Sequence, residues 1–195
     1  MYLGPPIDDH EMLARVPTEL VSLLRQTNGY VAFHGGLHLR GACHAPAWHA
    51  LRSAWDGPDA LHALYGTVQR DDCPFAEDAL GDQYLIRDGA ILRLDAETGT
   101  VSEFAKDLDT FQAAVRADPS EYLTLAPLEQ FRVDGGVLGL GQLLSVYPPF
   151  CSTESANGVS YRAIDALERR RWLASFAQQI RALPDGSTLA VVVHE

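Results

Sequence analysis

Five potential metal ligands lie within 16 residues of one another in the first quarter of the chain. They are His34, His38, Cys43, His44 and His49. Zinc binds three or four nitrogen or sulfur donors, usually spaced two to five residues apart, and these spacings satisfy that rule loosely. No second pair such as Cys-x-x-Cys follows, and the segment's strand–turn–strand–helix pattern would spread the side chains over several faces. We therefore predict no bound metal and no cofactor, and a metal-dependent enzyme remains as an alternative.

A second group that could do chemistry is a dense set of carboxylates. It comprises Asp71, Asp72, Glu77, Asp78 and Asp82. Paired carboxylates serve glycoside hydrolysis, and clustered ones bind Ca²⁺. No EF-hand pattern and no aromatic sugar platform accompanies them, so we predict a solvated acidic rim with these five residues as a partner-binding face.

Nucleophile and nucleotide signals are weaker. There is no G-x-S-x-G elbow, and spacing places no base beside Cys151, Ser152 or Ser155. The glycines between 135 and 141 match neither the dinucleotide nor the P-loop pattern and lack the phosphate-binding lysine. We expect no enzymatic activity.

Length and composition indicate one acidic globular domain. The chain has 195 residues, of which 47% are hydrophobic, and no apolar run approaches the roughly 18 residues of a membrane span. The first residues have neither the basic region nor the apolar core of a secretory signal. Three widely spaced cysteines do not form a disulfide framework, which favours a cytoplasmic location.

The net charge of −11 is unevenly distributed along the chain. Residues 1–125 carry 19 acidic and 9 basic side chains, a balance of −10, whereas residues 126–195 carry 7 and 6, a balance of −1. An acidic surface repels phosphate backbones, so nucleic acid is disfavoured as a partner and a basic protein is favoured. The alternative is that the charge only maintains solubility.

The elements that would position these residues centre on a β-meander. Asp88-Gly89 separates Gln83–Arg87 from Ala90–Leu94, and an Asp-Gly pair between alternating strands predicts a type I′ hairpin. Thr98-Gly99 then leads into a third strand, Thr100–Phe104. Such a meander needs helices to cover its apolar face.

Helical patterns occur on both sides of the meander. We expect Thr18 to cap one helix, Asp107 or Asp109 to cap another, and the longest to run from Ala163 to Leu183 with Arg169–Arg171 exposed. A β-branched run, Thr188–Val193, predicts a buried final strand. The predicted fold is therefore α+β, a central mixed but mainly antiparallel sheet flanked by helices, with a core at 1–125 and a packed helix-strand extension at 126–195.

The order of these motifs resembles the SMI/KNR-type domain of the SUKH superfamily over roughly residues 5–125. The matching segments are PTELVSLLRQTNG, from Pro17 to Gly29, and PFAEDALGDQYL, from Pro74 to Leu85, followed by the Asp-Gly hairpin, a Glu-Thr-Gly turn and a helix. Related immunity proteins with a GAD-like domain, some linked to type VI secretion, share this layout and tend to carry a comparable C-terminal extension. The signature residues expected to be structural are Asn28, Gly29, Pro74, Phe75, Gly81 and Asp82, with Gly81 forming the turn and Asp82 capping backbone N–H groups.

The resemblance implies a non-enzymatic role. Bacterial members of the superfamily are usually immunity proteins that neutralise a cognate polymorphic or contact-dependent toxin, and fungal relatives are regulatory scaffolds. The chain's 14 arginines and single lysine favour a high-GC bacterial source. We therefore expect a cognate protein toxin as partner, of a basic nuclease type if the acidic face binds it, with a regulatory or scaffolding protein as the alternative.

Overall fold

A seven-stranded sheet forms the frame of the computed structural model, which describes residues 1–184 and residue 187. Its strands follow one another in sequence order, each pairing antiparallel with the next. They are β1 (Tyr2–Leu3), β2 (Tyr30–Ala32), β3 (Leu37–Leu39), β4 (Cys73–Asp78), β5 (Gln83–Arg87), β6 (Ala90–Asp95) and β7 (Thr100–Ala105). The α+β class and the meander are confirmed. The described strands include no parallel pair, only an isolated parallel bridge between Gly41 and Ala50.

Helices and a second, two-stranded sheet complete the described structure. The helices are α1 (His10–Arg15), α2 (Thr18–Gln26), α3 (Leu51–Trp55), α4 (Leu61–Leu64), α5 (Leu108–Ala117), α6 (Pro119–Tyr122), α7 (Ala126–Val133) and α8 (Ala166–Arg181). The second sheet pairs β8 (Gln142–Tyr147) with β9 (Ser160–Asp165) in antiparallel register. Short 3₁₀ turns cover Phe33–Gly35 and Thr153–Asn157.

Apolar side chains cover the large sheet on both faces. On one face, Phe75 and Tyr84 pack with Phe111 of α5, in a core that α1 and α2 also enter. On the other face, Leu85 and Leu94 pack with α4 and α8. Because β5 is buried on both faces, it lies in the interior of a three-layer arrangement.

Aspartate side chains cap helices α1 and α5, the second of them at the predicted Asp107. Asp9 and Asp107 accept hydrogen bonds from the backbone N–H groups of the first turns of α1 and α5, at 3.0 and 2.7 Å. The predicted cap at Thr18 is wrong, because Pro17 occupies the N-cap position and its carbonyl accepts from Leu20 and Val21.

The C-terminal extension packs on the main sheet but differs from the prediction in detail. Residues 160–165 form β9, so α8 begins at Ala166 and not at Ala163. The N–H of Leu144 donates to the carbonyl of Ala79 at 2.8 Å, which ties the second sheet to the loop after β4. The strand predicted at 188–193 lies outside the described residues.

The Asp88-Gly89 turn has the backbone that the sequence predicts. Both residues have positive φ, 52° for Asp88 and 84° for Gly89, as a type I′ hairpin requires. Apart from its two chain neighbours, no heavy atom lies within 4 Å of a Cβ built on Gly89. A side chain at position 89 would therefore change stability through the backbone conformation that it disfavours and not through a clash.

We predict that Gly89→Val lowers the free energy of unfolding by more than about 1 kcal/mol, because a β-branched residue resists positive φ. Gly66→Val is the matched control, since Gly66 is equally unobstructed but lacks positive φ. Urea unfolding of both variants measures the difference. Equal losses at the two positions would contradict this account of the turn.

Candidate functional site

The residues that could do chemistry meet on the face of the large sheet that α8 covers. His38 on β3 lies opposite Glu77 on β4, and Glu77 lies opposite Gln83 on β5. Directly opposed residues of paired strands place their side chains on the same face, so the three form a polar row. Arg40, which directly follows β3, joins the row two residues after His38, and Arg170 reaches it from α8.

Glu77 is the centre of this row, which we call the Glu77 network. Its Oε1 accepts from Nδ1 of His38 at 2.9 Å. Its Oε2 accepts from Arg40 at 2.6 Å, Gln83 at 3.0 Å and Arg170 at 3.3 Å. Burial alone would raise the pKa of this carboxyl, but the two guanidinium groups and His38 hold its pKa well below the usual range. Glu77 is therefore an ionised, fully hydrogen-bonded anion inside the protein.

A chain of hydrogen bonds continues from Glu77 through two histidines. Nε2 of His38 lies 2.9 Å from Nδ1 of His49, and Nε2 of His49 lies 3.0 Å from the backbone carbonyl oxygen of Asn28. A carboxylate–histidine pair is an arrangement that also serves general base catalysis. Here the far nitrogen is bonded to the backbone, so neither ring has a nitrogen left for a substrate.

Glycines enclose the imidazole of His49. A Cβ atom built on Gly4 or Gly41 would lie 2.3 or 2.9 Å from its Nε2, and one built on Gly29 would lie 2.7 Å from its Cε1. These distances are too short for any side chain. The three backbone segments therefore approach the ring closely, and their glycines are what permits it.

Two uncharged imidazoles carry one N–H hydrogen too few for the contacts that link Glu77, His38, His49 and Asn28. Three contacts between two terminal acceptors, the Glu77 carboxylate and the Asn28 carbonyl, need three hydrogens, whereas two neutral imidazoles supply two. Burial lowers the pKa of His38 and lowers that of His49 to about 4, and the neighbouring Arg40 lowers both further. The uncharged form of both rings is therefore favoured, and in that form two hydrogens serve three contacts.

The predicted acidic rim does not exist as an exposed face. Asp71 is exposed, but Asp72, Glu77, Asp78 and Asp82 are buried, at 8% exposure or less. Arginines and backbone N–H groups turn these carboxylates inward, because a buried charge must be paired or hydrogen-bonded. The four buried carboxylates hold the fold and offer no accessible acidic surface.

The ion pairs of Asp72 with Arg87 and of Asp82 with Arg93 show how arginines hold these carboxylates inside the protein. Asp72 accepts two hydrogen bonds from Arg87, both at 2.6 Å. Oδ2 of Asp82 accepts from Nε and Nη2 of Arg93 at 2.9 and 2.5 Å, while its Oδ1 accepts from the N–H of Ala96 at 2.9 Å. Asp82 thus caps a backbone N–H, as the resemblance implied.

Asp78 organises the turn between β4 and β5. Its Oδ1 accepts from the backbone N–H groups of Leu80, Gly81 and Asp82 at 2.9–3.0 Å. Gly81 has a φ of +100°, a conformation that glycine adopts without strain. Burial and the nearby Asp82 raise the pKa of Asp78 well above its usual range.

The remaining signature residues are also structural. Pro74 lies at a bulge in the pairing of β4 with β5, and Phe75 packs its ring against Phe111 at 5.3 Å between centroids. The side chain of Asn28 accepts from the N–H of Ala42 at 2.7 Å and donates to the carbonyl of Pro5 at 2.9 Å. Gly29, with a φ of +77°, lets the chain turn beside His49.

The five candidate metal ligands do not converge. His34 and His44 are exposed, Cys43 is buried with its thiol pKa raised to about 11, and only His38 and His49 touch each other. Within residues 1–184 and 187, no three His, Cys, Asp or Glu side chains are grouped so that they could hold a metal ion. The histidine pair instead belongs to the Glu77 network.

Sequence reasoning missed Arg40, Gln83 and Arg170 as members of this network, and its expectation of an exposed Arg169–Arg171 run is wrong. Arg169 and Arg170 are buried, and only Arg171 is exposed. A signal was present, because Arg170 lies four residues after Ala166 and three before Leu173, on the buried stripe of α8. A buried anion to receive the guanidinium was not visible in the sequence.

A groove of about 1080 Å³ runs between the start of β7, the β8–β9 connection and the end of α8. Its lining includes Val101, Tyr147, Phe176, Ile180 and the thiol of Cys151. Burial and the nearby Glu97 raise the pKa of Cys151 to about 11, so the thiol is protonated at neutral pH and a poor nucleophile. Cys151 is therefore not an activated nucleophile.

These features define an α+β protein with a closed, buried polar centre. None of its described helices is long and apolar enough to cross a membrane. No family model matches the chain, and no curated protein matches it. Among solved structures it is similar to Atu4351 from Agrobacterium tumefaciens, with a TM-score of 0.62 and 14% identity over 89% of this chain and 84% of that one. At that identity the likeness establishes the fold alone.

We predict that Glu77→Gln lowers the free energy of unfolding by about 3–5 kcal/mol, because it leaves two buried guanidinium groups without a counter-charge. Asp71→Asn, at an exposed carboxylate in the same stretch, is the control and should change stability by less than about 0.5 kcal/mol. Urea unfolding at pH 7 measures both. A Glu77→Gln loss as small as the control's would mean that the network is not needed for folding.

We also predict that acid destabilises the protein through His49. Its folded-state pKa of about 4 lies below the unfolded value of about 6.5, so the unfolded chain takes up a proton first and stability falls as pH falls from 6.5 to 4. In His49→Asn this fall should be smaller by about 1–3 kcal/mol. The control is His34→Asn, at an exposed residue with a φ of 57° that asparagine tolerates. Identical pH profiles for wild type and His49→Asn would refute the assignment.

Proposed function

We propose that this chain is a non-enzymatic cytoplasmic binding protein, an immunity protein that neutralises a cognate polymorphic or contact-dependent toxin. The observation that carries the proposal is the closure of the polar centre. Both oxygens of Glu77 and all four nitrogens of His38 and His49 lie against protein partners within the described fold. Residues that could have served chemistry stabilise the fold instead, which leaves binding through the surface as the role to explain.

The resemblance of residues 5–125 to the SMI/KNR-type domain supports the same role. Its signature residues occupy turns, caps and core positions, which is what a scaffold that presents a binding surface needs. The four buried rim carboxylates carry no part of the proposed interaction. Their place is taken by carboxylates elsewhere on the surface of a chain whose net charge is −11.

The charge points to the kind of partner. A strongly acidic surface attracts a basic domain, raises the rate of encounter and disfavours nucleic acid. A nuclease-type toxin is basic because it binds a phosphate backbone. We therefore propose a basic toxin domain as the cognate partner.

Co-expression with the protein encoded by the adjacent reading frame tests this function. We expect the C-terminal domain of that protein to arrest growth of a host cell, this chain to restore growth, and the two to purify as a stoichiometric complex. Their association rate should fall by about tenfold between low and physiological salt, because exposed charges are screened beyond about 8 Å. Growth arrest without rescue, and no complex, would favour a regulatory or scaffolding protein.

A further inference from the structure

Three strongly exposed apolar side chains lie within eight residues of one another along the chain. Val133 ends α7 and is 81% exposed, and Val137 and Leu140, in the connection from α7 to β8, are 80% and 56% exposed. We call residues 133–140 the presenting loop. Apolar side chains grouped in this way on a soluble protein mark interaction sites more often than scattered ones do.

The presenting loop is held in place by its own contacts. The N–H of Gly136 donates to the carbonyl of Phe131 at 2.8 Å, and the N–H of Gly139 donates to the side chain of Gln142 at 2.8 Å. Leu138 is turned inward, so that its side chain lies against Gly35 of the β2–β3 connection. Val137 and Leu140 therefore point outward from an anchored backbone, and binding through them would require little ordering of the chain.

Four carboxylates in the stretch 118–140 form no ion pair within the described residues. Asp118, Glu121, Glu129 and Asp134 are exposed, and among the described residues none has an Arg, Lys or His nitrogen within 4 Å. Arg132 is the basic side chain in the same stretch, 118–140, which gives a local balance of four negative charges to one positive. A contact from the Ser120 hydroxyl to Glu129 at 3.4 Å places α6 beside α7.

We propose that the presenting loop, with the carboxylates of α6 and α7, is the surface that docks the partner. The occupant is a basic protein domain with an apolar depression for Val137 and Leu140, bordered by Lys or Arg side chains that face Glu129 and Asp134. This assignment rests on the proposed function and adds the contact face to it. The apolar side chains set the lifetime of the complex, and the carboxylates set its rate of formation.

The test measures binding of the adjacent frame's toxin domain, inactivated by mutation, to matched pairs of variants. Val137→Ser with Leu140→Ser should raise Kd at least tenfold, mainly through a faster off-rate. The control, Leu3→Ser with Tyr147→Ser, removes two apolar side chains that are 59% and 53% exposed elsewhere, and should change Kd less than twofold. Because all four side chains are exposed, melting temperatures should stay close to that of the wild type.

Charge reversal tests the carboxylates of the docking surface. Glu129→Lys with Asp134→Lys should lower the on-rate several-fold and weaken its salt dependence. Glu19→Lys with Glu154→Lys, at exposed positions outside the 118–140 stretch, changes the net charge equally and should have a smaller effect. If both pairs lower the on-rate equally, Glu129 and Asp134 act only through the net charge. That result would contradict their assignment to the docking surface.

The remaining outcomes distinguish a wrong docking surface from a wrong function. If the wild type binds and the loop variant binds as tightly, the docking surface is wrong while the immunity function stands. If the wild type does not bind the toxin domain at all, the function fails and the assignment fails with it. A wild-type dimer that the loop variant converts to monomer, seen by sedimentation, would make the loop a contact between copies of this chain and overturn the proposal.

Discussion

The structure depends on one buried anion, the carboxylate of Glu77. It joins β3 through His38 and Arg40, β5 through Gln83 and α8 through Arg170, so four elements meet at one side chain. Two guanidinium groups around one carboxylate leave an excess positive charge inside the protein, which burial makes unfavourable. Burial accordingly lowers the pKa of Arg40 to about 10 and also lowers the pKa of both neighbouring histidines.

This arrangement also links the extension to the main sheet. Arg170 lies 93 residues from Glu77 along the chain, yet their side chains meet beneath α8. The imidazole of His49 also brings together Gly4 after β1, Gly29 before β2 and Gly41 after β3. A polar centre of this kind is more selective than an apolar one, because each group fits only where its partner lies. It therefore fixes how β1 and α8 sit on the sheet.

The burial of these carboxylates also determines which surface is left for binding a partner. The buried carboxylates between residues 72 and 82 are paired with arginines or with backbone N–H groups, whereas the exposed carboxylates of α6 and α7 have no described basic side chain within 4 Å. The large sheet is covered by helices on both faces, so its strands offer little surface of their own. Loops and short helices around the rigid sheet carry the exposed apolar residues, in keeping with the general tendency of scaffolds to bind through their connections.

Local features of this fold were determined by the sequence itself. The Asp88-Gly89 hairpin, the Asp107 cap and the inward stripe of Leu108, Phe111 and Val115 depend on neighbours within a few residues, so they could be predicted. The acidic stretch at 71–82 could not, because whether a carboxylate is exposed depends on a distant arginine. The sequence did not predict strand β4 for the same reason. Its charged end, Glu77-Asp78, is typical of a loop, and only the ion pairs of Glu77 with Arg40 and Arg170 allow it to be buried. Only the tertiary structure decides whether such charges face water or one another, since their pairing energy exists only once the chain has folded.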